Sequence, residues 1–313
     1  MLVHLITGGA GFIGSHIADR LAGEGKPVRI LDNFSTGRRE TISYLRDRHG
    51  AGIEVIEGDI RDGEICKAAM RGCDVVFHEA ALPSVERSVQ DPLASHAVNA
   101  TGTLNLLVAA RDSGVRRFLF AGSSSVYGDA PCLPKVEDQT PLPRSPYALS
   151  KLASEEYVRI FSELYGLSTL TLRYFNVFGP RQDPNSAYAA VIPRFITALD
   201  NNEPPVIYGD GEQSRDFTYI DNVVDANLMA AERLDVTGVM NIACGEQSSL
   251  LELLAMLAEI QNKSIAPNFE PERAGDVKHS RADVTRARER LNYTPRLSLK
   301  EGLALTVASY IKA

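Results

Sequence analysis

The stretch Thr7-Gly-Gly-Ala-Gly-Phe-Ile-Gly14 follows directly on the apolar run Leu2–Ile6 near the start of this 313-residue chain. This order predicts a buried strand that passes through a glycine-rich turn into a helix. Gly8 or Gly9 permits the tight turn, Gly11 lets the backbone approach a pyrophosphate, and Gly14 lets the helix pack close to the sheet. Because the free N–H groups of a helix N-terminus favour anions, the stretch predicts a dinucleotide site.

Asp32 strengthens this prediction. It ends a second apolar run, Val28–Leu31, and lies 18 residues beyond Gly14, which is near the spacing of the acid that binds an adenosine ribose. A carboxylate there would repel a 2′-phosphate, so we expect NAD as the cofactor. Arg38 and Arg39 would favour NADP if they faced the cofactor, but we interpret them as a solvated turn.

The composition is that of an ordinary soluble protein, with 44% hydrophobic and 23% charged residues and a net charge of −7. The negative charge argues against general binding to nucleic acid or anionic membranes. The spacing of Cys66, Cys73, Cys132 and Cys244 fits neither a zinc site nor a disulfide framework, so we expect buried thiols and no metal. No membrane span or signal peptide is recognisable, and we expect a cytoplasmic protein.

Apolar runs and amphipathic stretches alternate through the first 180 residues, which predicts an α/β fold of the Rossmann type with a doubly wound parallel sheet. We expect residues 1–180 to form the NAD-binding domain, with a return segment near 215–245, and residues 181–313 to form a smaller α/β substrate-binding region. The predicted strands are Leu2–Thr7, Val28–Asp32, Ile53–Glu57, Val75–His78, Phe118–Gly122, Ser168–Tyr174 and Val239–Ile242, and a helix is predicted at Leu250–Asn262.

Tyr147 and Lys151 are the candidate catalytic pair. Pro146 fits the first turn of a helix, and side chains four positions apart share one helix face. A tyrosine normally titrates near pH ~10, but the Lys151 ammonium and a nicotinamide cation would lower its pKa toward neutrality, which suits a general base. Ser123 can donate to and accept from a sugar hydroxyl. Such a pair also arises by chance as a half-buried tyrosine covered by a surface lysine, and serines also form simple polar turns.

Taken together, the chain resembles the extended short-chain dehydrogenase/reductase family, and within it the UDP-glucose 4-epimerase group. The resemblance runs nearly end to end and rests on specific motifs. These motifs are TGGAGFIGS (7–15), LDNFSTG (31–37), ALPSVERSVQDP (81–92), SVYG (125–128), RYFNVFGPRQ (173–182), YAAVIPRF (188–195) and RDFTYID (215–221).

The resemblance implies a set of ligand contacts, to which the glycine-rich turn adds Gly8, Gly11 and Gly14. NAD contacts are implied at Phe12, Ile13, Asp32, Asn33, Phe34, Ser35, Thr36, Gly37, Asp59, Ile60, Ala80, Ala81, Asn99, Tyr147, Lys151 and Phe175. UDP contacts are implied at Asn176, Val191, Tyr208, Arg215, Arg273 and Asp276, and we expect sugar contacts at Ser84, Ser123, Ser124, Tyr147 and Ser280. Arginine forks suit a diphosphate, and a carboxylate suits a ribose hydroxyl.

Two positions depart from the family pattern. Glu79 lies where an apolar residue is usual, and Ala274 replaces the usual proline of Arg-Pro-Gly-Asp. We expect neither departure to touch the chemistry.

The resemblance also discriminates between related reactions. Dehydratases carry Asp-Glu at the places of Ser124 and Ser125, and decarboxylases carry Glu at the place of Ser125. With serines at both positions we expect no second acid or base in reach, so the 4-ketosugar would take its hydride back on the other face, which is 4-epimerisation. We expect UDP-glucose and UDP-galactose as the substrates. UDP-N-acetylglucosamine remains an alternative, because Ser280 and Ala190 are small and leave room for a 2-acetamido group.

Other classes remain open at this point. They are a different NAD-dependent nucleotide-sugar enzyme, an oxidoreductase that releases NADH, and a non-catalytic NAD(P)-binding sensor, which would tend to lose the Tyr147–Lys151 pair. The apolar-faced helices expected near Leu93–Ser113 and Tyr147–Leu164 predict a homodimer, although such helices are also found in cores.

Overall fold

The computed structural model describes residues 3–130, 132–183, 190–272 and 278–311. Its strands are β1 (Val3–Thr7), β2 (Val28–Asp32), β3 (Ile53–Glu57), β4 (Cys73–His78), β5 (Arg117–Ser123), β6 (Ser168–Tyr174), β7 (Val177–Phe178), β8 (Val206–Tyr208), β9 (Ser214–Arg215), β10 (Thr218–Tyr219), β11 (Gly238–Ile242), β12 (Ser248–Ser249) and β13 (Asn268–Glu270).

The α-helices alternate with the long strands. They are α1 (Phe12–Gly23), α2 (Arg39–His49), α3 (Gly63–Met70), α4 (Val85–Gln90), α5 (Pro92–His96), α6 (Gly102–Asp112), α7 (Pro146–Tyr165), α8 (Val191–Asp200), α9 (Ile220–Glu232), α10 (Leu250–Gln261), α11 (Thr285–Leu291) and α12 (Leu299–Ile311). A π-helical turn, Ala97–Thr101, joins α5 to α6. Short 3₁₀ turns lie at Gly50–Gly52 and Ser124–Tyr127.

Seven parallel strands form the central sheet in the order β11-β6-β5-β4-β1-β2-β3. The chain starts in the middle, builds outward to β3, and then returns to β4 on the other side of β1. Ligands of doubly wound sheets bind at this reversal, outside the carboxyl ends of the strands. The predicted Rossmann-type fold is confirmed, and the seven predicted strands match β1–β6 and β11 to within two residues at each end.

Alternate residues of the strands belong to two different apolar layers, because successive side chains of a strand point to opposite faces of the sheet. Leu5, Val76 and Phe118 pack with α3, α6 and α7 on one face. On the other face, Ile6, Phe77 and Leu119 pack with α1, α2 and α9. The sheet is therefore covered on both faces, and its ligand-binding edge is left open.

The second half of the chain builds a smaller region beside this edge. Three short two-stranded pairs, β10 with β7, β12 with β9 and β13 with β8, accompany α8 and α10. The chain crosses back between them, because β11 pairs along β6 in the large sheet. Within the described ranges, no helix combines the length and apolar character needed to cross a bilayer.

Candidate functional site

The glycine-rich turn between β1 and α1 admits no side chain at its tightest points. Gly8 has a φ of +69°, and a Cβ built there would lie 2.7 Å from the Ala80 nitrogen. A Cβ on Gly14 would lie 2.4 Å from the Gly8 carbonyl oxygen. Helix α1 carries no side-chain cap at Gly11, so its first N–H groups are free to bind an anion. The turn therefore forms a cradle that suits a pyrophosphate.

A cavity of about 740 Å³ extends from this turn along the carboxyl ends of the sheet strands. Most of the predicted cofactor contacts lie on its wall. They are Gly8, Gly11, Phe12, Ile13, Gly14, Asp32, Asn33, Ser35, Thr36, Asp59, Ile60, Ala80, Ala81 and Tyr147. The volume is in the range of small-molecule and cofactor sites.

Asp32 is held rigidly at the end of β2. Its two carboxylate oxygens accept hydrogen bonds from the backbone N–H groups of Ala10 at 2.9 Å and Phe34 at 2.8 Å. Burial raises the pKa of Asp32, and these two hydrogen bonds oppose that rise. Each oxygen keeps a further lone pair, so the carboxylate can still accept from a ribose diol at the cavity wall.

Asp59, at the end of β3, belongs to a polar group at the same end of the cavity. Arg61 donates to it at 2.7 Å and Asn33 at 2.8 Å. The Arg61 hydrogen bond is the largest contribution that lowers the pKa of Asp59 to about 2. The carboxylate is therefore charged at neutral pH and is oriented by two neighbours.

Five predicted cofactor contacts are not on the cavity wall: Phe34, Gly37, Asn99, Lys151 and Phe175. The Asn99 amide is buried and bonds the backbone of Leu82 and the hydroxyl of Ser150. Phe175 is fully buried against Tyr127.

Phe34 and Gly37 lie beside Asp32. Phe34 has a φ of +56° and packs under the Arg39 guanidinium. A Cβ on Gly37 would come within 3.0 Å of both Asp32 carboxylate oxygens. These two residues therefore shape the Asp32 loop.

Helix α7 and strand β5 bring the candidate catalytic residues together. Ser145 caps α7 by accepting from the Ala148 N–H at 3.1 Å, and Pro146 starts the helix, as predicted. Tyr147 and Ser123 both line the cavity, and the Ser123 hydroxyl, which hydrogen-bonds the Ser125 hydroxyl at 2.8 Å, lies near enough to Tyr147 to act on its pKa. Lys151 lies one turn further along α7 and donates to the Ala121 carbonyl at 2.9 Å. The structure thus brings together three residues that span 28 positions of the chain, from Ser123 to Lys151.

The charge states of these groups differ from the expectation drawn from spacing. Burial raises the pKa of Tyr147, and the neighbouring Ser123 hydroxyl only partly offsets this rise. Burial also lowers the pKa of Lys151 to about 8. In the protein alone the net pKa shift of Tyr147 is therefore upward, and a bound cationic nicotinamide would act in the opposite direction.

Glu79 is where the structure corrects the sequence analysis. We expected this departure to leave the chemistry untouched and no second acid to be in reach. The Glu79 side chain instead lines the cavity and accepts from the Tyr174 hydroxyl at 2.8 Å. It also acts electrostatically on Lys151, whose pKa it raises against the effect of burial. A carboxyl group thus belongs to the catalytic end of the site.

A second cavity of about 300 Å³ lies beside the first and shares Asn176, Val177, Ala190 and Arg215 with it. The predicted UDP contacts Val191 and Tyr208 line this second cavity. The predicted sugar contacts Ser84, Ser124 and Ser280 line the first. Arg273 and Asp276 fall outside the described residues. The small region thus extends the site away from the glycine-rich turn.

Asp216 links several segments in this second part of the site through hydrogen bonds, and the sequence analysis did not identify it. Its carboxylate accepts from the backbone N–H groups of Cys244, Gly245 and Ala282 at 3.0, 3.0 and 3.1 Å. Its own carbonyl accepts from the Asn176 amide at 3.2 Å. These hydrogen bonds join three distant segments beside Arg215. Burial raises the pKa of Asp216 to about 7. The position of Asp216 directly after Arg215, a predicted UDP contact, was the sequence signal that could have identified it.

Arg38 also departs from expectation. We interpreted it as part of a solvated turn, but it lines the large cavity and forms an ion pair with Asp183. Arg39 does point to solvent, where it pairs with Glu57. The partner of Arg38 lies 145 positions away, so local sequence carried no signal for this contact.

Comparisons with known proteins agree with this geometry. A model of the NAD dependent epimerase/dehydratase family matches residues 4–243. The UDP-glucose 4-epimerase of Mycolicibacterium smegmatis is 40% identical over 305 residues, which is 97% of this chain and 96% of the relative.

Two solved structures extend the comparison. A UDP-N-acetylglucosamine 4-epimerase from Methanobrevibacter ruminantium superposes with a TM-score of 0.94 at 41% identity, covering 99% of this chain and 98% of that one. A UDP-glucuronic acid 4-epimerase from Bacillus cereus, solved with UDP-glucuronic acid and NAD, gives a TM-score of 0.91 at 32% identity over 99% of both chains.

Proposed function

Since this chain belongs to the NAD dependent epimerase/dehydratase family, we propose that it inverts carbon 4 of a UDP-hexose, interconverting UDP-glucose and UDP-galactose. One observation carries the proposal. Tyr147 and Ser123 meet on the cavity wall with Lys151 behind them, while serines occupy positions 124 and 125. The site therefore has a base for one hydroxyl proton but no carboxylate at the two places where related enzymes carry the acids for elimination.

The residues present fit NAD. The glycine cradle suits the pyrophosphate, Asp32 suits the adenosine ribose, and the walls near Ala80 and Ala81 leave room for the nicotinamide half. NAD bound there would supply a hydride acceptor for carbon 4 and would return the hydride later.

The chain's own residues then handle the proton. Tyr147 accepts the proton of the sugar 4-hydroxyl, and Ser123, which lines the same cavity beside Tyr147, aligns that hydroxyl. The Lys151 ammonium, held by the Ala121 carbonyl, supports the phenolate form of Tyr147. After the sugar turns over, Tyr147 returns the proton to the 4-oxygen.

The UDP end supplies the binding energy. Arg215 lies where the two cavities meet, and its planar guanidinium suits a diphosphate. Val191 and Tyr208 offer an apolar and an aromatic wall for a uridine. A nucleotide anchored there holds the hexose at the reacting end while few contacts restrain its rotation, which epimerisation requires.

UDP-N-acetylglucosamine is the second candidate substrate. Ser280 and Ala190 are small residues on the wall of the large cavity, and they leave room for a 2-acetamido group. The 41% identity to a UDP-N-acetylglucosamine 4-epimerase favours the same possibility.

The substrate is tested by incubating the pure protein, with no added cofactor, separately with UDP-galactose, UDP-N-acetylgalactosamine and UDP-galacturonic acid. We expect nuclear magnetic resonance to show conversion of UDP-galactose to UDP-glucose, since tightly held NAD is regenerated in each cycle. Faster conversion of the acetamido sugar would move the assignment to the second candidate. No conversion of any sugar, even with added NAD, would contradict the epimerase proposal.

We also propose that the enzyme is a homodimer that pairs through α7 and the neighbouring α4–α5 segment. Leu149, Tyr157 and Leu164 lie on one face of α7, because their spacings of eight and seven residues bring them to nearly the same side of the helix. Leu164 is 72% exposed, and Leu93 of α5 is 81% exposed. Large apolar side chains grouped in this way mark an interface.

Sedimentation tests the dimer. We expect the wild-type protein to have the mass of two chains and the double variant Leu93→Glu, Leu164→Glu to have the mass of one, because two carboxylates would be desolvated at the interface. Leu305→Glu is the matched control, since Leu305 is 47% exposed on the distant helix α12. A wild-type protein that sediments as a monomer would contradict the proposal.

A further inference from the structure

The strand order of the sheet divides the large cavity into two halves, which meet at the glycine-rich turn after β1. On one side of the turn, Asp32 and Asp59 line the cavity at the ends of β2 and β3. On the other side, Glu79 follows β4, Ser123 ends β5 and Tyr174 ends β6, and all three line the cavity. Because a pyrophosphate fits the turn, the two halves of a dinucleotide extend to opposite sides of it.

The half of the cavity at β4, β5 and β6 is the one that suits the nicotinamide. Asp32 suits the adenosine ribose, so the adenosine belongs to the side of β2 and β3. The hydride acceptor must come within reach of the sugar carbon whose hydroxyl Tyr147 deprotonates. Tyr147 lines the cavity together with Ser123 at the end of β5. Both requirements assign the nicotinamide to the ends of β4, β5 and β6.

Glu79 brings a carboxyl group to this nicotinamide side. Among the described residues of the cavity wall, three others carry a carboxyl group. Asp32 and Asp59 lie on the adenosine side, and Asp183 forms an ion pair with Arg38 from the loop after β2. Glu79 is therefore the one described wall carboxyl on the nicotinamide side, at a position where the family usually has an apolar residue.

Hydrogen bonds hold this carboxyl group in place. The Tyr174 hydroxyl donates to Oε1 of Glu79 at 2.8 Å. The Asn227 amide of α9 donates in turn to the Tyr174 hydroxyl at 2.8 Å and to the Val223 carbonyl at 2.9 Å. Because the Tyr174 oxygen accepts from Asn227, its own proton is directed to Glu79, and such a hydrogen bond favours the charged carboxylate. The network thus holds a negative charge at the nicotinamide end of the cavity.

We propose that Glu79 is a cofactor-binding residue whose carboxylate favours the oxidised cofactor, because the nicotinamide ring is a cation in NAD⁺ and is neutral in NADH. This inference deepens the proposed function, and it rests on that function for the place of the ring beside Tyr147. An opposite charge close to the ring stabilises its cationic form. Burial raises the pKa of Glu79 to about 7, so the carboxylate is populated at neutral pH, and a neighbouring cation favours it further.

The charge of Glu79 would act on the balance between the two halves of the reaction. Hydride transfer from carbon 4 neutralises the ring, and return of the hydride to carbon 4 restores its positive charge. A carboxylate that stabilises the cation therefore favours the return step, in which Tyr147 gives its proton back to the 4-oxygen. It also disfavours an enzyme left with NADH after the 4-ketosugar has dissociated. Glu79 thus suits an enzyme that ends each cycle with NAD⁺ bound.

The experiment compares the wild-type holoenzyme with Glu79→Gln, which keeps the size of the side chain and removes its charge. Each protein is equilibrated with an excess of NAD⁺ and NADH at a known ratio and is then freed of unbound cofactor. Bound NADH is measured by its fluorescence, and total cofactor is measured after denaturation. We expect the bound ratio to shift toward NADH by about 10-fold in Glu79→Gln, as for the loss of one nearby opposite charge.

Two further variants make the result specific. Glu79→Leu removes the charge and restores the apolar character usual at this position, so it should give the same shift, and it serves if Glu79→Gln does not fold. Asp59→Asn is the matched control, because it removes another carboxylate of the cavity wall, on the adenosine side. The adenosine halves of NAD⁺ and NADH are identical, so this variant should change both affinities alike and leave the bound ratio unmoved.

An unchanged bound ratio in Glu79→Gln and Glu79→Leu would overturn the proposal, even if both forms of the cofactor bound more weakly, because such a contact would not sense the charge of the ring. An equal shift in Asp59→Asn would also overturn it. The exchange needs no sugar. A failure of the proposed function would appear as no sugar conversion by the wild-type protein, while the bound ratio would still be measured, so the two failures are distinguishable.

Discussion

Tyr147→Phe is expected to lower turnover by about 10²–10⁴-fold, the range for loss of a positioned general base. The variant keeps the ring, which lines the cavity, and removes only the hydroxyl, on whose pKa Ser123 acts. No other described side chain replaces it at that point, because Lys151 is engaged with the Ala121 carbonyl and Glu79 with Tyr174. The measurement is the rate of sugar interconversion by nuclear magnetic resonance at saturating substrate.

A measurement of UDP binding distinguishes the loss of the Tyr147 hydroxyl from general damage to the site. Because the proposed UDP contacts Val191 and Tyr208 line the second cavity, calorimetric affinity for UDP should be unchanged in Tyr147→Phe. Tyr165→Phe is the matched control, since Tyr165 is 50% exposed at the end of α7 and contacts Arg111 and Phe161, which do not line the cavity. Turnover of Tyr147→Phe at the wild-type rate would contradict the assignment of Tyr147 as the base.

Gly14→Ala is expected to have the second large effect, on cofactor retention and on stability. The new Cβ would lie 2.4 Å from the Gly8 carbonyl oxygen and 3.0 Å from the Gly9 Cα, and both are backbone atoms of the turn. The turn must move to relieve this contact, at a cost of about 1–3 kcal/mol for overpacking. Movement of the turn displaces the cradle for the pyrophosphate.

The measurement for Gly14→Ala is the NAD content of the purified protein, together with the thermal midpoint of unfolding. We expect NAD to be largely lost and the midpoint to fall by several degrees, about 4 °C or less per kcal/mol for a chain of this size. Gly63→Ala is the control, because a Cβ at Gly63 meets nothing within 4 Å at the start of α3. Full NAD occupancy in Gly14→Ala would show that the turn does not hold the pyrophosphate.

Much of the fold could be predicted because its signals are local. The runs that form β2, β3 and β6 were predicted at their observed bounds, since short runs rich in apolar and β-branched residues favour strands. Helix α7 was predicted to within one residue at each end from its apolar face and Pro146. The alternation of these elements then limits the topology, because parallel crossovers are right-handed and pack on both faces of one sheet.

The site was less predictable where a residue's role depends on distant partners. Asn99 was implied as a cofactor contact, but its amide is occupied by Leu82 and Ser150 within the core. Asp216 lies within the RDFTYID motif but was not identified as a separate contact, yet it accepts from three backbone N–H groups in segments that lie up to 66 residues away. Hydrogen-bond partners of this kind are decided by which loops the fold brings together.

By itself, the sequence determined the Rossmann-type sheet, the glycine cradle at Gly8 and Gly14, and the Tyr147–Lys151 spacing, because periodicity, turn chemistry and helix geometry act over a few residues. Only the tertiary structure decided the charge states at the reacting end. Glu79 and Tyr174 are 95 positions apart but share a hydrogen bond, and Lys151 of α7 is held by the Ala121 carbonyl of β5. Electrostatic energies depend on burial and on distances in space, so the tertiary contacts, and not the spacing along the chain, decide which of these groups carries a charge.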